Sequence, residues 1–535
     1  MVQVKPGMPL LGLVSVATLL LLLLGAPSEV AADSACRFAG QYTTSQIYSD
    51  ASLRAQFVSQ WLSQEANFVR HAGVDPLTGL TLDGQRLDVK TGLPLGLPHQ
   101  FTAASKESLH LAILARVLWG DGRASVFYSV DEALQVLDTK MTSLEKFAAK
   151  YPGFAGFLPW VYVVDGELTP TDDFVNKVPA LDNGEMFWGA FAVAEVLRDR
   201  YPAQQPLQAR WENFWQTMAN NSARVFYNGN GLVRAVTVLT NQSLPPSMNT
   251  YSLPPGPCVN CFLTDPYEGE LFVIMMYVFG GLTNIDGTLL WANKAPMIQP
   301  VDLQIPQSNA TFTVQRGWWF SSHETWKYMM LPYVLSPTNY RVFLNGERAR
   351  THFSANSNPA ISGLFASVSG WAATNDQDTG YFSDCGIQQI AFNNVTHDML
   401  VTPYGAFPVI LASQPEGFAW LHNMISAQRG QNCFGTTESM LLNGSYVSPL
   451  VTWDSKITTV VAALGGISDI TEWYLGARGK LSDWTFQVEV LWSQAFTLPL
   501  KGEDLPYALP QSTIPVLADD FTSCSASSSP CVFKV

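Results

Sequence analysis

Four acidic clusters of this 535-residue chain lie against aromatic or apolar runs, where desolvation raises a carboxyl pKa and lets one group hold a proton while another stays ionised. The first is Leu181-Asp182-Asn183-Gly184-Glu185-Met186-Phe187-Trp188. Asp182 and Glu185, three apart at a predicted helix start, either face one cavity or form an N-cap with its capping box. The second, Asp265-Pro266-Tyr267-Glu268-Gly269-Glu270-Leu271-Phe272, runs into the apolar Val273-Ile274-Met275-Met276-Tyr277. Acids in a first helical turn also suit the helix dipole, but a helix this apolar is buried, so Glu268 and Glu270 stand at a packed or cavity-lining position. In the third, Thr452-Trp453-Asp454-Ser455-Lys456-Ile457, Asp454 either does chemistry or pairs with Lys456 or caps a helix. The fourth, Asn375-Asp376-Gln377-Asp378-Thr379-Gly380-Tyr381, lacks the closing glutamate of a calcium loop and reads as a solvated turn. One protonated carboxyl at a leaving oxygen and one ionised base or nucleophile suffice to hydrolyse a glycosidic bond, so neither cofactor nor metal is expected.

Other chemistries have no matching pattern. The chain lacks a G-x-S-x-G elbow, an H-E-x-x-H helix, a P-loop and a Rossmann fingerprint. Its seven histidines show no ligand spacing, and the lone Cys258-Val-Asn-Cys261 reads as a structural bridge, local or distant, rather than half a zinc site. A net charge of −14 disfavours nucleic acid and anionic membranes as partners and leaves a neutral polymer open.

Residues Leu10 to Gly25 form an apolar run after Lys5 and before Val30-Ala31-Ala32, the pattern of a secretory signal peptide over 1–32. A secreted, soluble protein over 33–535 is expected, with no membrane contact after cleavage. Sequons at Asn220, Asn241, Asn309, Asn394 and Asn443 predict a glycoprotein with those sites at the surface. Seven cysteines beyond the signal predict disulfides; Cys524 and Cys531 are spaced to close a tail loop, and one cysteine is left over within a monomer.

The carboxylates need a frame, and 47% hydrophobic residues supply a large core. Amphipathic stripes predict helices over Ser49–Arg70, Lys106–Leu118, Val130–Tyr151, Asn183–Tyr201, Leu207–Phe226, Glu268–Gly280, Glu324–Leu335, Glu416–Arg429 and Thr458–Leu464. Alternation predicts short strands over Leu232–Leu239 and Phe486–Leu491. No linker or charge block divides the chain, so one domain is expected, mainly α, a closed (α/α)6 barrel of helical hairpins with 496–535 as an extension. Loops rich in aromatics, Gly156-Phe157-Leu158-Pro159-Trp160, Arg316-Gly317-Trp318-Trp319-Phe320 and Trp371, offer apolar faces to sugar rings, although most of the 16 tryptophans are expected in the core.

In order along residues 150–495, several blocks resemble the glycoamylase-like family and its relatives, the bacterial and fungal endo-β-1,2-glucanases. They are Gly156-Phe157-Leu158 with Asp182 to Trp188, Tyr267 to Gly280, Phe320-Ser321-Ser322-His323-Glu324-Thr325-Trp326, Asn345-Gly346-Glu347-Arg348-Ala349, Gly370-Trp371 to Gly380-Tyr381, Leu400 to Ala406 and Trp453-Asp454-Ser455-Lys456. The resemblance implies an (α/α)6 barrel with a glucan cleft and a secreted, inverting endo-β-1,2-glucanase without metal. It implies Glu270 as general acid, acting through a substrate hydroxyl, and Asp454 as general base, with Glu268 competing for the acid. Asp182, Glu185, Glu268, Trp319, His323, Arg348, Trp371 and Tyr381 would hold sugars or the nucleophilic water. Departures at Ser455-Lys456 and at a missing second arginine leave room for an exo-acting, sophorose-releasing or other β-glucan enzyme, or a non-catalytic carbohydrate-binding protein on the same fold.

Overall fold

The computed structural model describes residues 36–256, 261–357, 360–369, 381–515 and 519–524. The signal peptide, Trp371, the turn at 375–380, Cys258 and Cys531 lie outside the described residues.

The chain is mainly helical. Its α-helices are α1 (Thr44–Ser49), α2 (Ala51–His71), α3 (Ala104–Trp119), α4 (Val130–Lys150), α5 (Leu181–Arg200), α6 (Gln205–Phe226), α7 (Glu270–Phe279) and α8 (Asn284–Lys294). They continue with α9 (Lys327–Met330), α10 (Pro337–Asn356), α11 (Phe407–Ala412), α12 (Gln414–Ile425), α13 (Trp453–Ala463), α14 (Ser468–Ala477) and α15 (Ser482–Ala495). Contacts run in a closed circuit: α3 packs on α5, α5 on α7, α7 through α9 and the turn Tyr333–Leu335 to α10, α10 on α11, α11 on α13, and α13 back on α3. An outer layer covers this ring, with α4 on α3, α6 on α5, α8 on α7, α15 on α10, α12 on α11 and α2 on α13. This is the expected toroid of helical hairpins.

Composition separates the layers. The inner helix α5 is buried from Asn183 to Leu197, whereas the outer α4 buries only a stripe through Ala133, Leu137, Met141 and Leu144. Gly184 permits the tight inner packing: a Cβ there would stand 2.5 Å from the backbone nitrogen of Phe272 in α7. Trp61, Trp188, Trp211, Trp420, Trp453 and Trp484 are fully buried, the core role expected of most tryptophans.

Strands are short, as expected. Val236–Leu239 forms one within the predicted Leu232–Leu239. Phe486–Leu491 is instead helical, inside α15: Trp484, Val488 and Trp492 are buried at intervals of four while Phe486 is exposed, so the apparent alternation was part of a 3.6-residue period. The helix predicted over Glu324–Leu335 is broken into 3-10 turns around the four-residue α9, where Pro332 cannot continue a helix.

Cys524 bonds Cys36, 488 residues away, rather than closing a tail loop. Cys261 and Cys433 are also disulfide-bonded, and among the described residues Cys385 is a free, buried thiol. The C-terminal segment packs into the body, with Phe496, Leu500 and Ile514 in the main core. Among the described residues no helix is long and apolar enough to cross a membrane. All five sequon asparagines are exposed.

Candidate active site

The N-terminal ends of the inner helices converge on a cavity of about 520 Å³. Lys106 comes from the first turn of α3, Asp182 from that of α5 with Glu185 just after it, and Asp454 from the first turn of α13. Glu268 precedes α7, His323 and Trp326 precede α9, and Tyr404 precedes α11. Helix starts carry partial positive charge, which favours the carboxylates gathered there.

Local structure fixes each group. The strand Leu450–Thr452 pairs antiparallel with Gly84–Arg86, Thr452 opposite Gly84, and the Trp453 amide donates to the Asp83 carbonyl at 2.9 Å. That ladder sets Asp83 beside Asp454. Lys106 Nζ bridges them, 3.1 Å from Asp83 Oδ1 and 2.9 Å from Asp454 Oδ2, while His99 Nδ1 lies 2.9 Å from Asp83 Oδ2. Asp454 Oδ1 is buried and has no hydrogen-bond partner among the described residues. On α5 the N-cap is Ala180, with no side-chain cap, so the capping-box alternative for Asp182 and Glu185 is not realised. Asp182 Oδ2 instead accepts a hydrogen bond from Trp160 Nε1 at 2.8 Å, and Glu185 Oε2 is buried without a partner among the described residues. Asn183 holds the loop that carries Trp160, accepting from the Leu158 amide at 2.9 Å and donating to the Leu158 carbonyl at 2.8 Å.

The electrostatics sort these groups. Seven carboxyl groups border the cavity, from Asp83, Asp173, Asp182, Glu185, Glu268, Glu438 and Asp454, so mutual repulsion must leave some protonated. Burial, reinforced by Asp265, Glu324, Asp182 and Asp454, pushes the Glu268 carboxyl well above the ordinary glutamate range. Burial, then Glu268, Asp182 and Asp454, does the same to Glu185. Asp83 is the opposite case: burial opposes ionisation, but Lys106 and His99 overcome it and hold the carboxyl at about 2. His323, buried and within 2.9 Å of Ser321 Oγ and 2.8 Å of Ser367 Oγ, is kept neutral by desolvation and then by Arg350, with its pKa lowered to about 3.

Of the residues expected at the site, Asp454, Asp182, Glu185, Glu268, His323 and Tyr381 line this cavity together. Glu270 does not. It is 1% exposed in the core, with Oε1 3.0 Å from Lys327 Nζ and accepting from Tyr333 Oη at 2.7 Å, and Oε2 3.7 Å from Lys294 Nζ. The helical turn separating positions 268 and 270 sends one glutamate to the cavity and the other into the protein, a distinction that sequence spacing did not carry. Arg348 also lies elsewhere, donating from Nε to the Leu505 carbonyl at 2.9 Å and lying over the Tyr507 ring. Trp319 is half-buried outside the lining, 6.1 Å from the His323 ring.

Sequence reasoning missed Asp83, His99, Lys106, Phe101 and Glu438. Glu438 accepts from Ser455 Oγ at 2.6 Å and from Thr452 Oγ1 at 2.9 Å, bracing the backbone around Asp454. Trp160, Trp326 and Tyr404 stood within recognised blocks, and their local motifs were the available signal. Trp160 is 40% exposed, stacked on Phe174 with ring centroids 4.7 Å apart.

The family model for endo-β-1,2-glucanase SGL matches residues 80–525. Two solved structures of the endo-β-1,2-glucanase from Talaromyces funiculosus, a Glu-to-Gln mutant with β-1,2-glucan and a complex with sophorose, are each 37% identical with a TM-score of 0.86, covering 92% of this chain and 100% of theirs. The endo-β-1,2-glucanase from Chitinophaga pinensis, in complex with sophorotriose and glucose, shares the fold at 14% identity and a TM-score of 0.57, over 82% of this chain and 97% of its own. No curated protein sequence matches the chain.

Proposed function

The chain belongs to the endo-β-1,2-glucanase family, a family of glycoside hydrolases, and from that premise we propose that it cleaves internal β-1,2-glucosidic bonds with Asp454 as general base and Glu268 as general acid. The observation that carries the assignment is the opposed setting of two carboxyl groups on one cavity: Glu268 is held protonated by burial and neighbouring acids, while Asp454 faces the Lys106 ammonium with one oxygen bare. A pair driven apart in this way supplies acid and base at the same pH. The substrate class is supported by the relatives bound to β-1,2-glucan and sophorose.

In this mechanism the Asp454 carboxylate accepts a proton from the attacking water while Glu268 delivers one toward the leaving glycosyl oxygen, directly or through a sugar hydroxyl. Bond formation and cleavage occur on opposite faces of the sugar, so the anomeric configuration inverts. Glu185 and Asp182 hold sugar hydroxyls, and Trp160 presents its exposed ring to a sugar face. Secretion as a glycoprotein belongs to the same reading, supported by the disulfides, the exposed sequon asparagines and the apolar run at 10–25.

The test is digestion of linear β-1,2-glucan beside β-1,3-, β-1,4- and β-1,6-glucans, with products resolved by size over time. Early release of short oligosaccharides from the β-1,2 polymer alone is expected. Release of a single disaccharide from the start would indicate exo action, and silence on every polymer would defeat the enzymatic reading.

A further inference from the structure

Lys106 Nζ lies between Asp83 Oδ1 and Asp454 Oδ2, among the carboxyl groups that line the cavity. We propose that Lys106, anchored by Asp83, is the positioning residue for Asp454, engaging Oδ2 and so fixing the carboxylate at the cavity wall. The inference rests on the reading of Asp454 as base.

The geometry distinguishes this cluster from ordinary core ion pairs. Glu107, one residue on, is paired with Lys140 and also accepts from the Thr81 amide at 2.8 Å, Thr81 Oγ1 at 2.8 Å and Thr102 Oγ1 at 3.2 Å. Such saturation is the rule for buried charge. At Asp454, which lines the cavity, the lysine takes Oδ2 at 2.9 Å, and the buried Oδ1 has no hydrogen-bond partner among the described residues. Lys106 has little freedom to move: its side chain is 8% exposed and its Nζ lies between two carboxylates. Asp83 is fixed through its own backbone as well, with its amide donating to the Phe101 carbonyl at 2.8 Å and its carbonyl accepting from Trp453 at 2.9 Å. Its oxygens are divided between Lys106 and His99.

Among the other groups that line the cavity around Asp454 are carboxyl groups, tyrosines and a neutral histidine. Asp182 and Glu185 approach from α5, Glu268 from before α7 and Glu438 from beside the Leu450–Thr452 strand. Tyr381, Tyr404 and neutral His323 complete the wall, and His99 lies behind Asp83. Burial alone would lower the Lys106 pKa, but Asp454 and Asp83 outweigh it and raise it, so the ammonium persists.

The experiment compares pH profiles of kcat/KM on linear β-1,2-glucan for the wild type and for Lys106→Met, Lys106→Arg and Asp83→Asn, with thermal unfolding of each. The acidic limb is expected to move up by about one unit or more in Lys106→Met and to return toward the wild type in Lys106→Arg. Asp83→Asn loosens the anchor but keeps the Lys106 charge, so a fall in kcat with a limb that moves less than in Lys106→Met is expected there. Proportionate loss of rate at every pH with unmoved limbs would overturn the proposal and leave a purely structural ion pair. If Lys106→Met does not fold, Lys106→Gln, which keeps a donor to Oδ2 without the charge, decides in its place, and an unmoved acidic limb there is equally fatal. Asp454→Asn separates the two levels: a wild-type rate there removes the base itself, whereas an inactive Asp454→Asn beside unmoved limbs removes only the role of Lys106.

Discussion

Substituting Glu270 by glutamine destabilises rather than disarms the protein, whereas the same change at Glu268 disarms without destabilising it. Glu270 is locked between Lys327 and Lys294 with 1% exposure, so Glu270→Gln leaves two buried ammonium groups without their counter-charge. Breaking such a pair from one side costs about 3–5 kcal/mol. An unfolding entropy of roughly 2.1 cal/mol/K per residue gives about 1 kcal/mol/K for a chain of 535 residues. The melting temperature should therefore fall by about 3–5 °C, while folded Glu270→Gln at low temperature keeps turning over glucan. Glu268→Gln removes one carboxyl from a crowded acidic cavity, so its melting temperature should hold or rise while turnover drops by about 100-fold or more. Scanning calorimetry and a reducing-sugar assay on β-1,2-glucan read both effects. A stable, inactive Glu270→Gln beside an active Glu268→Gln would refute the reasoning from burial.

Three further outcomes follow from the same geometry. Because Glu268 titrates higher in the folded than in the unfolded chain, the folded state binds the extra proton, and its contribution to stability is lost as pH rises from the ordinary glutamate range through the raised value; urea unfolding across a pH series should fall less steeply in Glu268→Gln. Gly84→Ala would set a Cβ 2.4 Å from the Val451 carbonyl oxygen and spread the ladder that seats Asp83 beside Asp454, costing about 1–3 kcal/mol and reducing kcat by more than that instability explains. Trp160→Ala, at a 40% exposed ring on the cavity rim, should raise KM roughly fivefold or more, equivalent to about 1 kcal/mol, with little change in melting temperature.

Sequence periodicity revealed those helices that have two unlike faces. The outer helix α4 shows its stripe plainly, and its predicted bounds fall within one residue of Val130–Lys150. The inner α10 was missed because it buries Asn339, Asn345, Glu347 and Arg350 alongside apolar residues, and polar groups buried inside a ring leave no amphipathic signal. α15 misled for the related reason that β-branched residues at alternate positions fit either period over six residues. At the site, Asp182, Glu185, Glu268 and Asp454 were legible because each stands in a short block at a helix start. Lys106 and Asp83 were not, since their partner Asp454 lies 348 residues beyond Lys106 and only the closure of the ring brings them together. The choice between Glu268 and Glu270 needed the direction of one helical turn, which depends on Lys327 and Lys294 elsewhere in the chain.

The most direct measurement is the rate at which folded Asp454→Asn hydrolyses linear β-1,2-glucan, beside wild-type protein of matched melting temperature. Loss of turnover by about 100-fold or more, with binding of β-1,2-oligosaccharides retained, is the result expected if Asp454 is the base of a β-1,2-glucan hydrolase. A wild-type rate in that variant would contradict the account.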